Sequence, residues 1–239
     1  MKNSFHPEIL HLIQKGAGKP TQHTFLNKYL GNTHPRYPIS MPVLRGIAKA
    51  WIQNHRDLSS RHFSGLLNDL IQGESSTEKC MAGILLDYAT ADQRKFNPAS
   101  FNKWLDYLEG WAEIDAVCTS KYTGTEIPGQ WITWKPLLIK LSRSKNINKR
   151  RAALVFFCNP LRKEENSALA QTALEIIDRL KEENKILITK AISWVLRTMT
   201  KYHRAAVETY LKKNASTLPT IALRETLVKL ETGKKTKNV

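Results

Sequence analysis

The sequence is poor in cysteine and has no long apolar run. Its three cysteines, Cys80, Cys118 and Cys158, are an odd number without close spacing. They fit neither a disulfide framework nor a zinc site, and they indicate a reducing, intracellular setting. The longest apolar runs, such as 152–158, are far too short to span a membrane. Residues 1–12 contain no apolar core of a signal peptide.

Several motifs of catalysis and metal binding are also absent from the sequence. It contains no glycine-rich phosphate loop, no paired-histidine metal motif and no Gly-x-Ser-x-Gly turn. The seven histidines are scattered, and we interpret them as surface residues or as local hydrogen-bonding residues. The 11 glycines and 10 prolines lie mostly between apolar segments, which is typical of punctuation between helices.

Basic residues are in clear excess. Lysine and arginine number 37 against 21 acidic residues, which gives a formal net charge of +16. This excess favours an anionic partner: nucleic acid, an acidic protein or an anionic membrane surface. Nucleic acid is favoured because the basic residues are spread along the chain rather than gathered at one end. Only residues 232–239 are predicted to form a basic, disordered tail.

Apolar residues recur at helical spacing, and no period-two alternation persists. From Asn102 onward the pattern predicts one continuous helical face that reaches Asp115, and the ranges 168–180 and 182–202 are similar. Residues 123–134 contain two glycines, a proline and two tryptophans, and we interpret them as a packed connector. With 41% apolar residues, the chain can build a packed core. The sequence therefore predicts an all-α protein.

A weak internal repeat divides the helical pattern. Small residues stand beside large apolar ones at Ala82, Ala116, Ala152 and Ala191, at intervals of 34, 36 and 39 residues. Irregular spacing of this size is typical of HEAT-type helix pairs, which stack into a curved solenoid. We therefore predict one HEAT-like repeat domain over residues 1–231. The alternative is an irregular helical domain in which alanine recurs by chance.

Two aromatic clusters are candidates for a functional site. Trp111 and Asp115 are four residues apart, so they share one face of a helix. Trp194 lies four residues after Lys190 and three before Arg197, so it has a cation one turn away on either side. If the repeats stack in register, these faces line one concave surface. The alternative is that each tryptophan is a core residue and that the two cations form a solvated face.

A third candidate is Arg151, which lies in a packed helical segment. Its neighbours Lys149 and Arg150 point elsewhere, because successive residues are about 100° apart around a helix. Asp115 is then either a reactive carboxylate, a partner of Arg151 or a capping group.

Several segments together resemble the AlkD-like family of HEAT-repeat DNA alkylation repair glycosylases. They read GWAEIDAV from Gly110, NINKRRAALVFF from Asn146 and LITKAISWVLRTMTK from Leu187, followed by YLKKN and LPTIALRETLVKL. A further segment, YLGNTHPRYPISMPVLRGIAKAW from Tyr29, is similar to the family's entry segment, which has a Pro-x-x-Arg followed by a basic helix. The resemblance implies a right-handed superhelical solenoid with a concave basic DNA-binding surface. Only 28 residues precede Tyr29, which is fewer than in the family's prototype. In this respect the chain resembles a subgroup of the family with a shortened N-terminus.

The resemblance also implies a reaction and assigns roles to residues. Asp115 matches the catalytic carboxylate, and Trp111 and Trp194 match the aromatic walls. The matched substrate is duplex DNA that carries cationic alkylated purines such as N3-methyladenine and N7-methylguanine, hydrolysed for base excision repair. Neither a metal nor another cofactor is expected, and the implied protein is a monomer of the bacterial cytosol, associated with the nucleoid and not with a membrane. Arg151 matches the family's arginine and is expected to hold a backbone phosphate. The other predicted DNA-binding residues are Lys190, Arg197, Arg150 and Lys149.

Two other functions remain open at this point. One is a non-catalytic HEAT-repeat protein that recognises bent or branched DNA through its phosphates. The other is a protein-binding scaffold for which the charge is incidental. Release of methylated purines and the salt dependence of DNA affinity distinguish the three functions.

Overall fold

The computed structural model describes residues 5–21 and 31–235, and this part of the chain is helical apart from turns, loops and one isolated bridge between Thr21 and Arg36. The predicted all-α class is confirmed. None of the described helices is long and apolar enough to cross a membrane. The helices are α1 Phe5–Ala17, α2 Met41–Asn54, α3 Ser60–Ile71, α4 Ser76–Tyr88, α5 Ser100–Trp104, α6 Gly110–Cys118, α7 Lys121–Gly129, α8 Trp131–Ser142, α9 Ile147–Val155, α10 Pro160–Lys163, α11 Ser167–Leu180, α12 Ile186–Met199, α13 Arg204–Asn214 and α14 Thr220–Thr232.

The chain divides into two compact units. The first ends at Tyr122 and the second begins at Thr123, so the boundary falls inside α7. A single repeat domain over residues 1–231 stays a prediction. Helix α14 ends at Thr232 with Gly233 in the left-handed region. Of the predicted basic tail, residues 236–239 lie outside the described part of the chain.

Helix α4 is the centre of the first unit. It packs against α2, α3 and α6. A reciprocal capping box starts it: the Ser75 hydroxyl accepts from the Glu78 N–H at 3.1 Å, and the Glu78 carboxylate accepts from the Ser75 N–H at 2.9 Å. Its apolar residues are almost fully buried, including Leu85 at 0% exposure. Each such leucine contributes about 1.5–3 kcal/mol to the free energy of unfolding.

Helix α12 has the same central place in the second unit. It packs against α9 and α14, and more lightly against α11 and α13. Helices that are not consecutive in the chain thus lie side by side, α2, α4 and α6 in one unit and α9, α12 and α14 in the other, which is consistent with a helical repeat solenoid. The repeat markers Ala82, Ala152 and Ala191 are completely buried in this packing. The HEAT type, the superhelical hand and the concave basic surface stay predictions.

Two predictions of local structure are wrong. The continuous helix from Asn102 is broken, because α5 ends at Trp104 and α6 begins at Gly110 in the left-handed region with φ +66°. The connector at residues 123–134 was predicted as a loop but is helical and belongs to α7 and α8, although it is packed as predicted, with Ile127 and Trp134 completely buried. Pro128 is tolerated in α7 because it lies in the last turn, where its missing N–H removes a single helical hydrogen bond.

Candidate functional site

Helix α6 presents Trp111 and Asp115 on a partly open face. Ile114, Val117 and Cys118 on the opposite side are completely buried. The half-buried residues form what we call the α6 stripe: Trp111, Ala112, Asp115, Ala116 and Thr119. The stripe places a carboxylate one helical turn from an indole, as the sequence predicts.

Helices α4 and α6 approach each other unusually closely beside this stripe. A Cβ atom at Gly83 would lie 2.8 Å from the Val117 nitrogen and still closer to the Ala116 carbonyl. One turn earlier, the Cys80 Sγ lies 3.8 Å from the Ala112 carbonyl oxygen. Glycine at position 83 therefore sets the distance between the two helices.

The Cys80 thiol beside the stripe is chemically quiet. Burial raises its pKa to about 12, and the negative charges of Glu113 and Asp115 add to the increase. A thiol with this pKa carries almost no thiolate at neutral pH, and the thiolate is the nucleophilic form. The Cys80 thiol is therefore a poor nucleophile at neutral pH and is not suited to accept an alkyl group.

The buried carboxylate of Glu113, which was not predicted from the sequence, fixes the start of α6. Glu113 is completely buried. It accepts hydrogen bonds from Asn32 Nδ2 at 2.9 Å and from the Glu109 N–H at 2.8 Å, and His34 Nδ1 lies 2.9 Å from it. A buried charge is tolerated only when it is fully hydrogen-bonded. No signal in the sequence distinguishes Glu113 from an exposed helical glutamate.

These bonds hold the non-helical segment 31–37 against α4 and α6. Within it, the Tyr37 N–H donates to the Thr77 hydroxyl at 2.9 Å, and the Pro35 carbonyl accepts from the Ser76 N–H at 2.9 Å. Glu109 accepts from both the N–H and the hydroxyl of Thr33, at 3.0 and 2.9 Å. The segment therefore joins the first turn of α4 to the first turn of α6, the helix that carries the α6 stripe.

Helix α12 presents a second partly open face, in the second unit. The α12 stripe consists of Lys190, Trp194 and Arg197, all half-buried, whereas Ala191, Val195 and Leu196 are completely buried. The spacing of four and three residues aligns the three side chains along one side of the helix. The stripe combines an aromatic surface with two cations, which is the arrangement that the sequence predicts.

Arg197 is held by a compact polar triangle. Its Nε lies 3.2 Å from the Ser193 hydroxyl and 3.3 Å from the Glu225 carboxylate on α14. The Ser193 hydroxyl donates to the same Glu225 oxygen at 2.6 Å. Burial lowers the pKa of Arg197 and outweighs the opposing attraction of Glu225. The sequence reading missed both Ser193 and Glu225.

The remaining predicted cations lie on α9 and take part in packing. Arg151 is 4% exposed, and its Nη1 donates to the Leu187 carbonyl oxygen at 2.6 Å, which ties α9 to the start of α12. Lys149 is buried as well. Arg150 makes a two-pronged ion pair with Glu183, at 2.7 and 2.8 Å. It also donates through Nη1 to two backbone carbonyls.

The structure therefore brings together two subsets of the predicted site. Trp111 and Asp115 lie in the first unit, and Lys190, Trp194 and Arg197 form a stripe in the second. The union of both subsets into one site stays a prediction. In the described residues, no group of three or more His, Cys, Asp or Glu side chains is arranged to hold a metal ion.

The packing places the chain among all-helical proteins that are consistent with a helical repeat solenoid. Comparison with known proteins identifies its family. The family model for the DNA alkylation repair enzyme matches residues 13–230. The chain thus belongs to the DNA alkylation repair enzyme family. A solved structure from Enterococcus faecalis, described as a predicted DNA alkylation repair enzyme, matches with a TM-score of 0.70 at 18% identity. The match covers 90% of this chain and 99% of that one, and it shows the shared fold. The comparison with curated proteins gave no match.

Proposed function

We propose that the protein is a monofunctional DNA glycosylase that acts on cationic alkylated purines in duplex DNA. N3-methyladenine and N7-methylguanine are the proposed substrates. The observation that carries the proposal is the α6 stripe, where the Asp115 carboxylate and the Trp111 indole lie one helical turn apart on a partly open face. Membership of the DNA alkylation repair enzyme family supports a repair role for this stripe.

The proposed reaction requires one main contribution from the protein, an anion close to the sugar of the alkylated nucleotide. Alkylation at N3 or N7 gives the purine a positive charge, so it leaves as a neutral base with the electrons of the glycosidic bond. Positive charge then develops on the sugar, as in glycoside hydrolysis. The carboxylate of Asp115 stabilises that charge and accepts the proton of the water that attacks C1′.

Aromatic and basic groups supply the binding interactions. The indole faces of Trp111 and Trp194 attract a cationic nucleotide through cation–π contacts, worth about 0.5–2 kcal/mol each. Lys190 and Arg197 on the α12 stripe contact phosphates, and the net charge of +16 supports association with DNA. Methyl transfer to a cysteine is a different repair chemistry, and the raised pKa of Cys80 does not support it.

The test is release of methylated purines from alkylated duplex DNA by wild type and by Asp115→Asn. Asparagine keeps the shape of the side chain and removes its charge, so we expect release to slow by about 100- to 1,000-fold. Asp106→Asn in the same unit is the matched control, because Asp106 is exposed and lies outside α6.

Three results would separate the possible functions. Loss of release in Asp115→Asn alone supports the proposal. Equal, very slow release by all three proteins, together with salt-dependent DNA affinity, indicates the non-catalytic DNA-binding function instead. Weak DNA affinity even at low salt indicates a protein scaffold.

A further inference from the structure

The polar triangle of Ser193, Arg197 and Glu225 leaves part of the arginine uncommitted. Its bonds all use Nε, at 3.2 Å to Ser193 and 3.3 Å to Glu225. Among residues 5–21 and 31–235, neither Nη nitrogen of Arg197 has a hydrogen-bond partner. The outer edge of the guanidinium therefore keeps two parallel donors.

The guanidinium of the triangle is also costly to bury, although Glu225 balances its formal charge. The side chains of Arg197 and Glu225 are only 16% and 17% exposed, and Ser193 is completely buried. Burial disfavours the charged guanidinium more than Glu225 favours it. A second anion at the outer edge would offset the remaining cost of burying this charge.

A phosphodiester matches this edge in charge and in shape. It carries one negative charge and two non-bridging oxygens, which two parallel N–H donors bind in a fork. Arg197 lies three residues from Trp194, so a phosphate bound here sits beside the indole of the α12 stripe.

We propose that Glu225 is a positioning residue, which together with Ser193 locks Nε of Arg197 so that both Nη groups grip a DNA backbone phosphate. The inference rests on the proposed function, because it assumes that the α12 stripe meets DNA. It assigns the C-terminal helix α14 a part in DNA binding through an acidic side chain. That role is unusual, because an acid near DNA ordinarily weakens the affinity.

The test measures the affinity for a short undamaged duplex by fluorescence anisotropy over a range of KCl concentrations. One phosphate contact contributes about 0.9 to the slope of log affinity against log salt, which amounts to about eightfold in affinity between about 1 M and 0.1 M salt. We therefore expect Arg197→Gln to weaken binding about eightfold at about 0.1 M KCl and to lower the slope by about 0.9. Glu225→Ala should do the same, although removal of a negative charge by itself would tighten binding.

Three further variants make the test specific. Glu225→Gln keeps an oxygen that accepts from Ser193 and Arg197 but loses the negative charge, so it should bind at least as tightly as wild type with an unchanged slope. The double variant of Arg197→Gln with Glu225→Ala should be no weaker than either single variant. Asp178→Ala is the matched control, because Asp178 also accepts from a hydroxyl, Tyr210 at 2.8 Å, and from a cation, Lys181 at 2.9 Å. It should leave the slope unchanged.

The results separate this inference from the proposed function. If wild type binds duplex DNA but Glu225→Ala binds equally well or more tightly with the same slope, the positioning role is wrong and the proposed function is untouched. Full additivity in the double variant also overturns it. If wild type shows no salt-dependent affinity, the proposed function fails together with the inference. Should Glu225→Ala unfold, Ser193→Ala provides the measurement, with a smaller loss expected and wild-type binding contradicting the role.

Discussion

The close approach of α4 and α6 makes Gly83→Ala a sharp test of how the α6 stripe is positioned. The added Cβ would lie 2.8 Å from the Val117 nitrogen and closer to the Ala116 carbonyl. Both obstructing groups belong to the backbone, so no side chain can rotate out of the way. Helix α6 must move outward by about 1 Å for the contact to become ordinary.

The magnitude follows from two opposing effects. Alanine favours a helix over glycine by about 1 kcal/mol. Overpacking costs about 1–3 kcal/mol, and the upper end applies because the neighbouring atoms are backbone atoms. We therefore expect Gly83→Ala to lower the free energy of unfolding by about 2 kcal/mol. Since Asp115 moves with α6, purine release should fall by about 100-fold even at a temperature where the variant is folded.

Urea denaturation and the excision assay check both parts of this prediction. Gly46→Ala on α2 is the matched control, because a Cβ built there would meet no described atom within 4 Å apart from its chain neighbours and the adjacent backbone of its own helix. That variant should gain about 0.5–1 kcal/mol. If Gly83→Ala is as stable as wild type, our reading of the helix contact is wrong. If it loses stability but releases purines at the full rate, the spacing of α4 and α6 does not position Asp115.

Two further predictions concern titratable groups in the first unit. Burial raises the pKa of Glu78, but hydrogen bonds from His6 and Ser75 outweigh it, and the pKa falls below its ordinary 4.5. The stabilisation is therefore present above pH 4.5 and is lost as the pH falls through the folded-state value, so Glu78→Gln should flatten the acid limb of a stability curve followed by circular dichroism. Parallel acid limbs would contradict this. Burial raises the pKa of Cys80 from 9.0 to about 12, which leaves roughly a thousandfold less thiolate near pH 8, so maleimide should label Cys80 slowly in the native protein and rapidly in urea. Rapid native labelling of Cys80, detected by peptide mass spectrometry, would refute it.

Helix content was predictable from the sequence, whereas helix ends were less so. Apolar spacing repeats along most of the chain. The repeat markers Ala82 and Ala116 fall on the neighbouring helices α4 and α6, and Ala152 and Ala191 fall on the neighbouring helices α9 and α12. The same spacing runs without interruption from Trp104 through Leu108 to Trp111, although the chain leaves the helix between α5 and α6. The break depends on the backbone of Gly110, with φ +66°, and on Glu113, which caps the new helix. Apolar periodicity does not register either of these features.

The shared helix faces of the two stripes were predictable from the sequence, whereas the groups that hold them were not. Trp111 with Asp115, and Trp194 with its flanking cations, share faces because residues three and four apart are neighbours on any helix. The partners of these acids come from distant segments: Asn32 lies 81 residues from the buried Glu113, and Ser193 lies 32 residues from the partly buried Glu225. Such pairs depend on tertiary packing, which local spacing does not encode.

The anchoring of segment 31–37 gives the first unit a built-in reporter. This stretch is not helical, yet the Tyr37 amide is sequestered by the Thr77 hydroxyl in the first turn of α4. Its proton therefore exchanges with deuterium only when that turn separates from the segment. The exchange rate of this single amide thus reports how often the first turn of α4 separates from segment 31–37. The same segment is bonded to the start of α6, the helix that carries Asp115.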